Sequence, residues 1–432
     1  MSYKTARRIF AVAILLCVCL LFASPAAAAF SGSGTETDPY LIQSNADMKK
    51  LAELVNAGEE KYASAHYLLT ADLALEDENW TPIGSSMGKS FAGVFDGNEK
   101  TVTYSIDEIA YRCTGLFGSN AGTIQNLYVK CLISGVYDDP GLYAGGITGM
   151  NFQGTIENCV SSAEIHVLSG AVYAGGIAGY DSGGVIQECS SEVEISAESL
   201  DDDTVGAGGI VGDTSGKVDA CTAAGTVYAN GAESVYAGGI AGVSWNKEIS
   251  RCTAGVDVSA AGVSDDPGLY AGGITGMNQG VITDCTVKSC DVSAVCSGED
   301  WTYTYAGGIT GRNYESGEIK DCVTDADVSA SASAIPADDN DNWPQVFAGG
   351  LVGYNAGKIA DCLTSGSVSG EAEGEVFSDA LVGQDEGTVK NCTAGDGPMS
   401  DNTPSDDSAE SPIPALGMVL GGLCAAGVLR RK

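Results

Sequence analysis

Basic side chains are scarce in this 432-residue chain, with 21 Lys and Arg against 57 acidic residues. Six of the basic residues (Lys4, Arg7, Arg8, Arg430, Arg431 and Lys432) sit at the two ends, so the stretch between them carries 15 and a formal charge near −42. A surface that acidic repels phosphate backbones and excludes a nucleic-acid partner. Histidine is almost missing, with only His66 and His166, which leaves little for imidazole-based metal or acid–base chemistry. There is no HExxH, GxSxG or P-loop sequence, and no C-x-x-C pair of the kind zinc sites use. The residues therefore point to no catalytic group, no metal and no cofactor. Glycine is abundant instead: 59 residues, about twice the usual share of roughly 7%. No Gly-X-Y period runs through them, which excludes collagen, and a hydrophobic content of 44% excludes a wholly disordered chain.

Both ends read as targeting segments. At the N-terminus a basic head (Lys4, Arg7, Arg8) precedes an apolar run from Ile9 to Ala23 and the small residues Ala27, Ala28 and Ala29. This is the layout of a secretory signal peptide over 1–29, cleaved after Ala29 to leave Phe30 first. At the C-terminus a Ser-, Asp- and Pro-rich linker (395–411) leads to an apolar stretch and a basic tail (412–432). The 18 apolar residues of 412–429 span about 27 Å as a helix, enough for a bilayer core, with the basic tail held inside. This arrangement resembles the C-terminal sorting signals of sortase and archaeosortase substrates, although no LPxTG-like sequence precedes it. Either as a sorting signal or as a retained anchor, it implies an extracellular protein tethered to the cell envelope or membrane through its C-terminus.

Between the ends one unit recurs nine times over 115–392. Clear copies are AGGITGMNFQGTIENC (144–159), AGGIAGYDSGGVIQEC (174–189) and AGGLVGYNAGKIADC (348–362). Eight copies close on a cysteine: Cys159, Cys189, Cys221, Cys252, Cys285, Cys322, Cys362 and Cys392. A short alternating stretch follows, such as AEIHV (163–167) or VDVSA (256–260). Gly-bounded runs of Ile, Val and Thr without helical period predict several short strands per unit. One such unit cannot bury its apolar face, whereas a stack can. The expectation is an all-β, right-handed parallel β-helix or β-solenoid of about nine coils of roughly 30 residues, near 43 Å long at about 4.8 Å per strand. Length variation at 290–305 and 333–346 predicts loops that protrude from it.

The repeat resembles the GLUG-motif family of microbial surface proteins, most plainly in AGGLVGYNAGKIADCLTSGSVSG (348–370). A leading segment with GSGTETDPYLI (32–42), YLLTADLAL (67–75), WTPIG (80–84) and FAGVFDGNEKTVTYSI (91–106) fits the same pattern. The resemblance covers about 32–393 and implies a cell-surface β-solenoid; it implies no reaction and no ligand. The organisation expected is a leading and capping segment at 30–110, the repeats at 111–394, and the flanking signals described above. Within the leading segment, Ser44 to Val55 reads as a helix with Met48, Leu51, Leu54 and Val55 on one face, Ser44 and Asp47 as a capping box, and Gly58 beyond its end. It is placed to cover the first coil's open edge. At the far end Ser378 and Asp379 replace Ala-Gly, a more polar closing unit.

Three sets of side chains invite a functional reading. The cysteine column permits disulfides between coils, but stacked side chains keep Cβ atoms near 4.8 Å where a disulfide prefers roughly 3.8 Å, which favours free thiols packed as small hydrophobes. Cys113, Cys131, Cys290 and Cys296 lie off the column, and a local pair among them stays open. An aromatic precedes six of the seven Ala-Gly-Gly triplets: Tyr143, Tyr173, Tyr236, Tyr270, Tyr305 and Phe347, with Gly206 the exception. Facing outward they make a flat strip for glycan rings; facing inward, the reading favoured by their repetition, they make a packing ladder. The polar turn residues Asn120, Asn151, Asp181, Asn278, Asn313, Asn355 and Asp385 suit left-handed backbone and bonds to their own turns. Asp pairs and runs at 138–139, 201–203, 265–266, 338–339 and Asp341 read as solvated acidic loops without calcium-binding spacing. Asn79 and Asn391 head glycosylation sequons. Only three arginines, Arg112, Arg251 and Arg312, lie between the termini; Arg251 and Arg312 sit in different units, and neither is near an acid that repeats on a neighbouring coil. The leading expectation is a non-catalytic envelope component or adhesin; the rivals are a polysaccharide lyase or hydrolase on a β-helix, and a receptor for an extracellular glycan, an ion or another surface protein.

Overall fold

A computed structural model describes residues 29–75, 79–139, 141–200, 203–263, 268–297, 303–333, 344–372 and 374–395. The leader up to residue 28, most of the linker, the C-terminal apolar segment and the acids at 201–202, 265–266, 338–339 and 341 lie outside the described residues. Among the described residues no helix is long and apolar enough to cross a membrane.

The repeat region is built from parallel strands stacked in register into a β-solenoid of about nine coils, with very little helix in the chain. One coil illustrates all of them. Leu142–Gly145 forms a strand, Gly146 and Ile147 turn the corner, and Thr148–Phe152 runs on the next side. A short strand, Thr155–Glu157, then leads through Asn158 and Cys159 into the long strand Val160–Ser169. Equivalent residues pair from coil to coil, for example Leu142 with Val172 and Ile156 with Ile186. The first two strand positions of the coil generate two nine-stranded sheets; the other two join the leading segment in one 24-stranded sheet.

The sequence dictates this corner. A Cβ on Gly145 would lie 2.2 Å from the Thr148 carbonyl oxygen, and one on Gly149 would lie 2.3 Å from the Thr114 nitrogen. The two sheets thus meet backbone to backbone, which requires the Ala-Gly-Gly-Ile-x-Gly pattern. On the inner side, columns such as Ile147, Ile177, Ile210, Ile240, Ile274 and Ile309 are fully buried and belong to one continuous core. Each such side chain contributes about 1.5–3 kcal/mol by leaving water.

The turn asparagines have a larger part than expected. They lie on strands and are fully buried, and their amides bond coil to coil: Asn120 Nδ2 donates to Asn151 Oδ1 (2.9 Å) and Asn151 Nδ2 to Asp181 Oδ1 (2.8 Å). The second run is Asn278 to Asn313 (2.9 Å), Asn313 to Asn355 (2.8 Å) and Asn355 to Asp385 (2.7 Å). Every amide donates in the same direction, and each run ends on an aspartate, which only accepts. They also bond their own turns, as in the Gly280 amide donating to Asn278 Oδ1 (3.1 Å). The left-handed backbone expected of them falls elsewhere, on the residue before each closing cysteine: Asn158, Glu188, Ala220, Arg251, Asp284, Asp321, Asp361 and Asn391, with φ between 50° and 56°.

The leading segment holds a helix, Asn45–Asn56, capped by Ser44, whose hydroxyl receives the Asp47 amide (3.3 Å). Asp47 in turn accepts from the Gln43 amide (3.0 Å). Met48, Leu51 and Val55 are fully buried in the same core, Leu54 packs at its margin, and Gly58 follows with φ 81°. Phe30 is buried against Tyr40, Tyr62 and Tyr67 at 5.4–5.9 Å between ring centroids. At the other end the last coil is more open, with Val376 exposed and Leu381, Val382 and Val389 only partly buried. The expected loop at 290–305 is partly strand: Asp291–Cys296 alternates in polarity and pairs with Val258–Gly262 and Asp327–Ala332.

Candidate functional site

The cysteine column sits inside. Cys159, Cys189, Cys221, Cys252, Cys285, Cys322 and Cys362 are buried free thiols, and Cys392 in the open last coil is partly exposed. Each follows the left-handed residue and turns its thiol to the carbonyl two residues back, at 3.2 Å for Cys159 and 3.3 Å for Cys252. Burial raises the Cys189 thiol well above its ordinary pKa and Cys131 to about 12, so these groups are poor nucleophiles. Cys113, Cys131, Cys290 and Cys296 are buried thiols as well, two in one coil and two in another, off the column. The Cys column is part of the core, so it offers no surface.

The aromatic column faces the other way. Along Leu142–Gly145 the core takes Leu142 and Ala144, so Tyr143 between them points outward, and its equivalents form a cluster separate from the main core. The inward packing ladder favoured by repetition is thus corrected: alternation in a strand bounded by two core residues leaves the aromatic outside. Stacking sets how much of a flat strip these rings can offer. Rings of Tyr236, Tyr270, Tyr305, Phe347 and Phe377 stack face to face at 4.9–5.0 Å and 5–16°, so the three inner rings, Tyr270, Tyr305 and Phe347, have both faces taken by neighbours. Tyr270 is fully buried by this stacking.

A second column of outward side chains packs beside the first. It runs Met150, Tyr180, Asp213, Val243, Met277, Arg312, Tyr354 and Gln384 on the adjoining sheet. The columns touch: Tyr180 stacks on Tyr143 (5.0 Å), and the Arg312 guanidinium lies over Tyr305 (5.5 Å), Tyr314 (4.4 Å) and Tyr354 (5.1 Å). Near the other end Arg112 lies over Tyr143 at 4.9 Å.

This outer face changes character at Gly206, where the aromatic is missing. Tyr173 leans across the gap, so that a Cβ on Gly206 would come within 2.8 Å of its ring. Facing the gap is Asp213, only 5% exposed. Its Oδ2 accepts from the Trp245 indole (3.1 Å), while Oδ1 has no hydrogen-bond partner. Burial pushes its pKa up to about 7, against the Trp245 bond and with help from the Asp181 charge. Asp181 itself is raised to about 6 by burial, opposed by bonds from Thr214, Asn151 and the Gly184 amide. Asp213 thus joins an unsatisfied buried carboxylate oxygen to the place where the ring is missing.

Other expected sites are engaged in structure. The Asn79 side chain bonds the Glu108 carbonyl (2.8 Å) and the Asp107 amide (2.9 Å), and Asn391 occupies a left-handed turn bonded to Asp361 (3.0 Å). Arg251 clamps a single acid, Asp219 of the preceding coil, with Nε to Oδ1 at 3.0 Å; Gln187 and Ser250 hold that place on the coils to either side. Asp219 pairs in register with Ser250, one residue before Arg251, so a same-position search overlooks the pair. Burial works against ionisation of Asp219, but bonds from Arg251, Lys217 and Ser250 bring its pKa to about 2.

No protein-family profile matches the chain. It is 29% identical over 147 residues to halomucin of Haloquadratum walsbyi, covering 32% of this chain and 2% of that protein. It is 31% identical over 130 residues to a proposed Gly-rich membrane protein of Evansella cellulosilytica, covering 29% of this chain and 15% of that one. The chain therefore spans only a small part of either relative. A crystal structure of a candidate immunoglobulin A1 protease from Bacteroides ovatus aligns over 86% of this chain and 88% of that one, at 16% identity and a TM-score of 0.37.

Proposed function

We propose that this chain is an exported β-solenoid of the GLUG-repeat type, tethered to the cell envelope by its C-terminal segment and acting through surface contact rather than catalysis. The observation that carries this reading is the outer side of the two nine-stranded sheets. Its aromatic and variable columns form one lengthwise face, while the cysteines and the asparagine runs are consumed in holding the coils together. A rod whose recurring side chains are spent on stacking, and whose side chains that differ from coil to coil line one outer face, is suited to present that face to a partner. The relatives named halomucin and Gly-rich membrane protein support a surface or membrane location. The formal charge of −36 keeps such a surface hydrated and rods apart. Cell fractionation without detergent tests the placement: the intact chain should sediment with the envelope, and its recovery in the cytosol would overturn the reading. Incubating the purified chain with acidic and neutral polysaccharides tests the mode of action, since new reducing ends or unsaturated products would establish catalysis instead.

A further inference from the structure

Three observations converge on the Gly206 gap. Asp213 is a carboxylate almost wholly removed from water with one oxygen unpartnered, a costly arrangement unless something completes it. The Tyr236 ring is stacked on Tyr270 (4.9 Å, 16°) on one side only; its other neighbour in register is Gly206. Elsewhere the same face seats cations on its rings, Arg112 at Tyr143 and Arg312 among Tyr305 and Tyr354.

We propose that the gap is a binding site for an organic monocation, an ammonium or guanidinium group, held by the Asp213 carboxylate and the ring faces of Tyr173 and Tyr236. The bound cation takes at this coil the place that Arg112 and Arg312 take at theirs, and adds the opposite charge that Asp213 lacks. Aromatic faces around a carboxylate suit such a group. Calcium and magnesium take six or more oxygen ligands and zinc takes several Cys, His or carboxylate ligands, none of which one carboxylate among phenols provides. A neutral sugar leaves the buried charge uncompensated. The missing side chain frees space on the order of one phenol ring, and access requires Tyr173 to swing back to the stacked posture of its equivalents.

The groups facing Asp213 are the phenols of Tyr143, Tyr173, Tyr180 and Tyr236, the Trp245 indole and, from the neighbouring position, the Asp181 carboxyl. The phenols stay protonated through neutral pH, so a proton on Asp213 is the main competitor of the cation. Affinity accordingly rises with pH up to about 7 and levels off above it.

The test is calorimetric titration of the full chain with methylguanidinium chloride and with methylammonium chloride at pH 8, against sodium chloride at matched concentration. Saturable binding in excess of the sodium control is expected, weakening about tenfold per pH unit below 7. Two variants should each weaken it at least tenfold: Asp213→Asn, which removes the charge, and Gly206→Tyr, which installs the ring that the other coils carry there. Folding of both is checked by circular dichroism, and should Gly206→Tyr not fold, Asp213→Asn decides alone. Absence of saturable binding by the unaltered chain, or equal binding by Asp213→Asn, overturns the proposal. A blocked Gly-Arg-Gly peptide binding tighter than methylguanidinium assigns the cation to a protein side chain; weaker or equal binding assigns it to a free amine or guanidine. The site rests on this outer face and not on the envelope placement, so cytosolic recovery of the chain leaves this result standing.

Discussion

The one-way direction of the asparagine run makes a sharp prediction from a single-atom change. Asn313 accepts from Asn278 through Oδ1 (2.9 Å) and donates through Nδ2 to Asn355 Oδ1 (2.8 Å) and to the Gly317 carbonyl (3.3 Å). In Asn313→Asp an ionised oxygen replaces that donor and faces two oxygens. Flipping the Asn355 amide brings no relief, because its Oδ1 also receives the Gly357 amide (3.1 Å) and its Nδ2 serves Asp385. A buried charge left with the wrong partners costs about 3–5 kcal/mol, which for a chain of this size lowers the melting temperature by roughly 5 °C. The mirror change, Asp385→Asn, removes a charge at the exposed end of the run, where an amide oxygen keeps both bonds, from Asn355 (2.7 Å) and from the Gly387 amide (3.0 Å). It should shift the melting temperature by no more than about 1 °C. Thermal unfolding followed by far-ultraviolet circular dichroism at pH 8 and at pH 4.5 reads both. A buried acid binds its proton more tightly in the folded state than in the unfolded one, so the stability lost in Asn313→Asp at pH 8 should largely return at pH 4.5, where the protonated acid donates to Asn355. Equal shifts for the two variants, or a deficit in Asn313→Asp that acid does not reduce, would refute the directional run.

Three further outcomes follow from other parts of the rod. Gly145→Ala should abolish the soluble folded product, since its Cβ would lie 2.2 Å from a backbone oxygen, while Gly88→Ala, with open space around it, should express and melt like the parent. Iodoacetamide at pH 8 should leave Cys159, Cys189, Cys221, Cys252, Cys285, Cys322 and Cys362 unmodified in the native protein and modify Cys392, as read by peptide mass mapping; full labelling without denaturant would contradict the buried column. Asp219, lowered to about 2 in the folded state from an ordinary value of 3.8, stabilises above pH 4 and loses that contribution as pH falls towards 2. Arg251→Ala should therefore show a smaller loss of stability between pH 4 and pH 2 than the parent in urea titrations, and an unchanged acid limb would count against the clamp.

The solenoid was legible because its determinants recur. Ala-Gly-Gly-Ile-x-Gly marks the corner, the Ile columns mark the core, and the cysteines mark the end of each turn, so nine copies average out any single irregular residue. The capping helix was legible from Ser44, Asp47 and the Met48-Leu51-Val55 spacing. What escaped were features set by facing direction and by differences between coils. Whether Tyr143 points in or out depends on which neighbour the core takes, and Leu142 and Ala144 on either side held that answer. The left-handed position was placed on the asparagines because Asn tolerates it, whereas the chain uses it before cysteine, where Ala220 and Glu188 accept it without any compositional signal. The signal for the gap was present in the sequence as the one triplet preceded by glycine. Its meaning needed Asp213, which lies seven residues further on and reaches Gly206 only because the corner folds one sheet against the next.

The amide runs also bear on how such a chain changes length. Because Asn278, Asn313 and Asn355 offer the same donor forward and the same acceptor backward, a duplicated coil spliced between them meets compatible partners on both faces. The identical DDPGLYAGGITGMN at 138–151 and 265–278 is the trace of such copying. The junction after Asp181 is different, for there Thr214 donates back to the carboxylate (2.8 Å) and the polarity reverses. An extra Asn-bearing coil inserted at that seam would set oxygen against oxygen, so growth by recombination is permitted on either side of the Asp181–Thr214 joint and penalised across it.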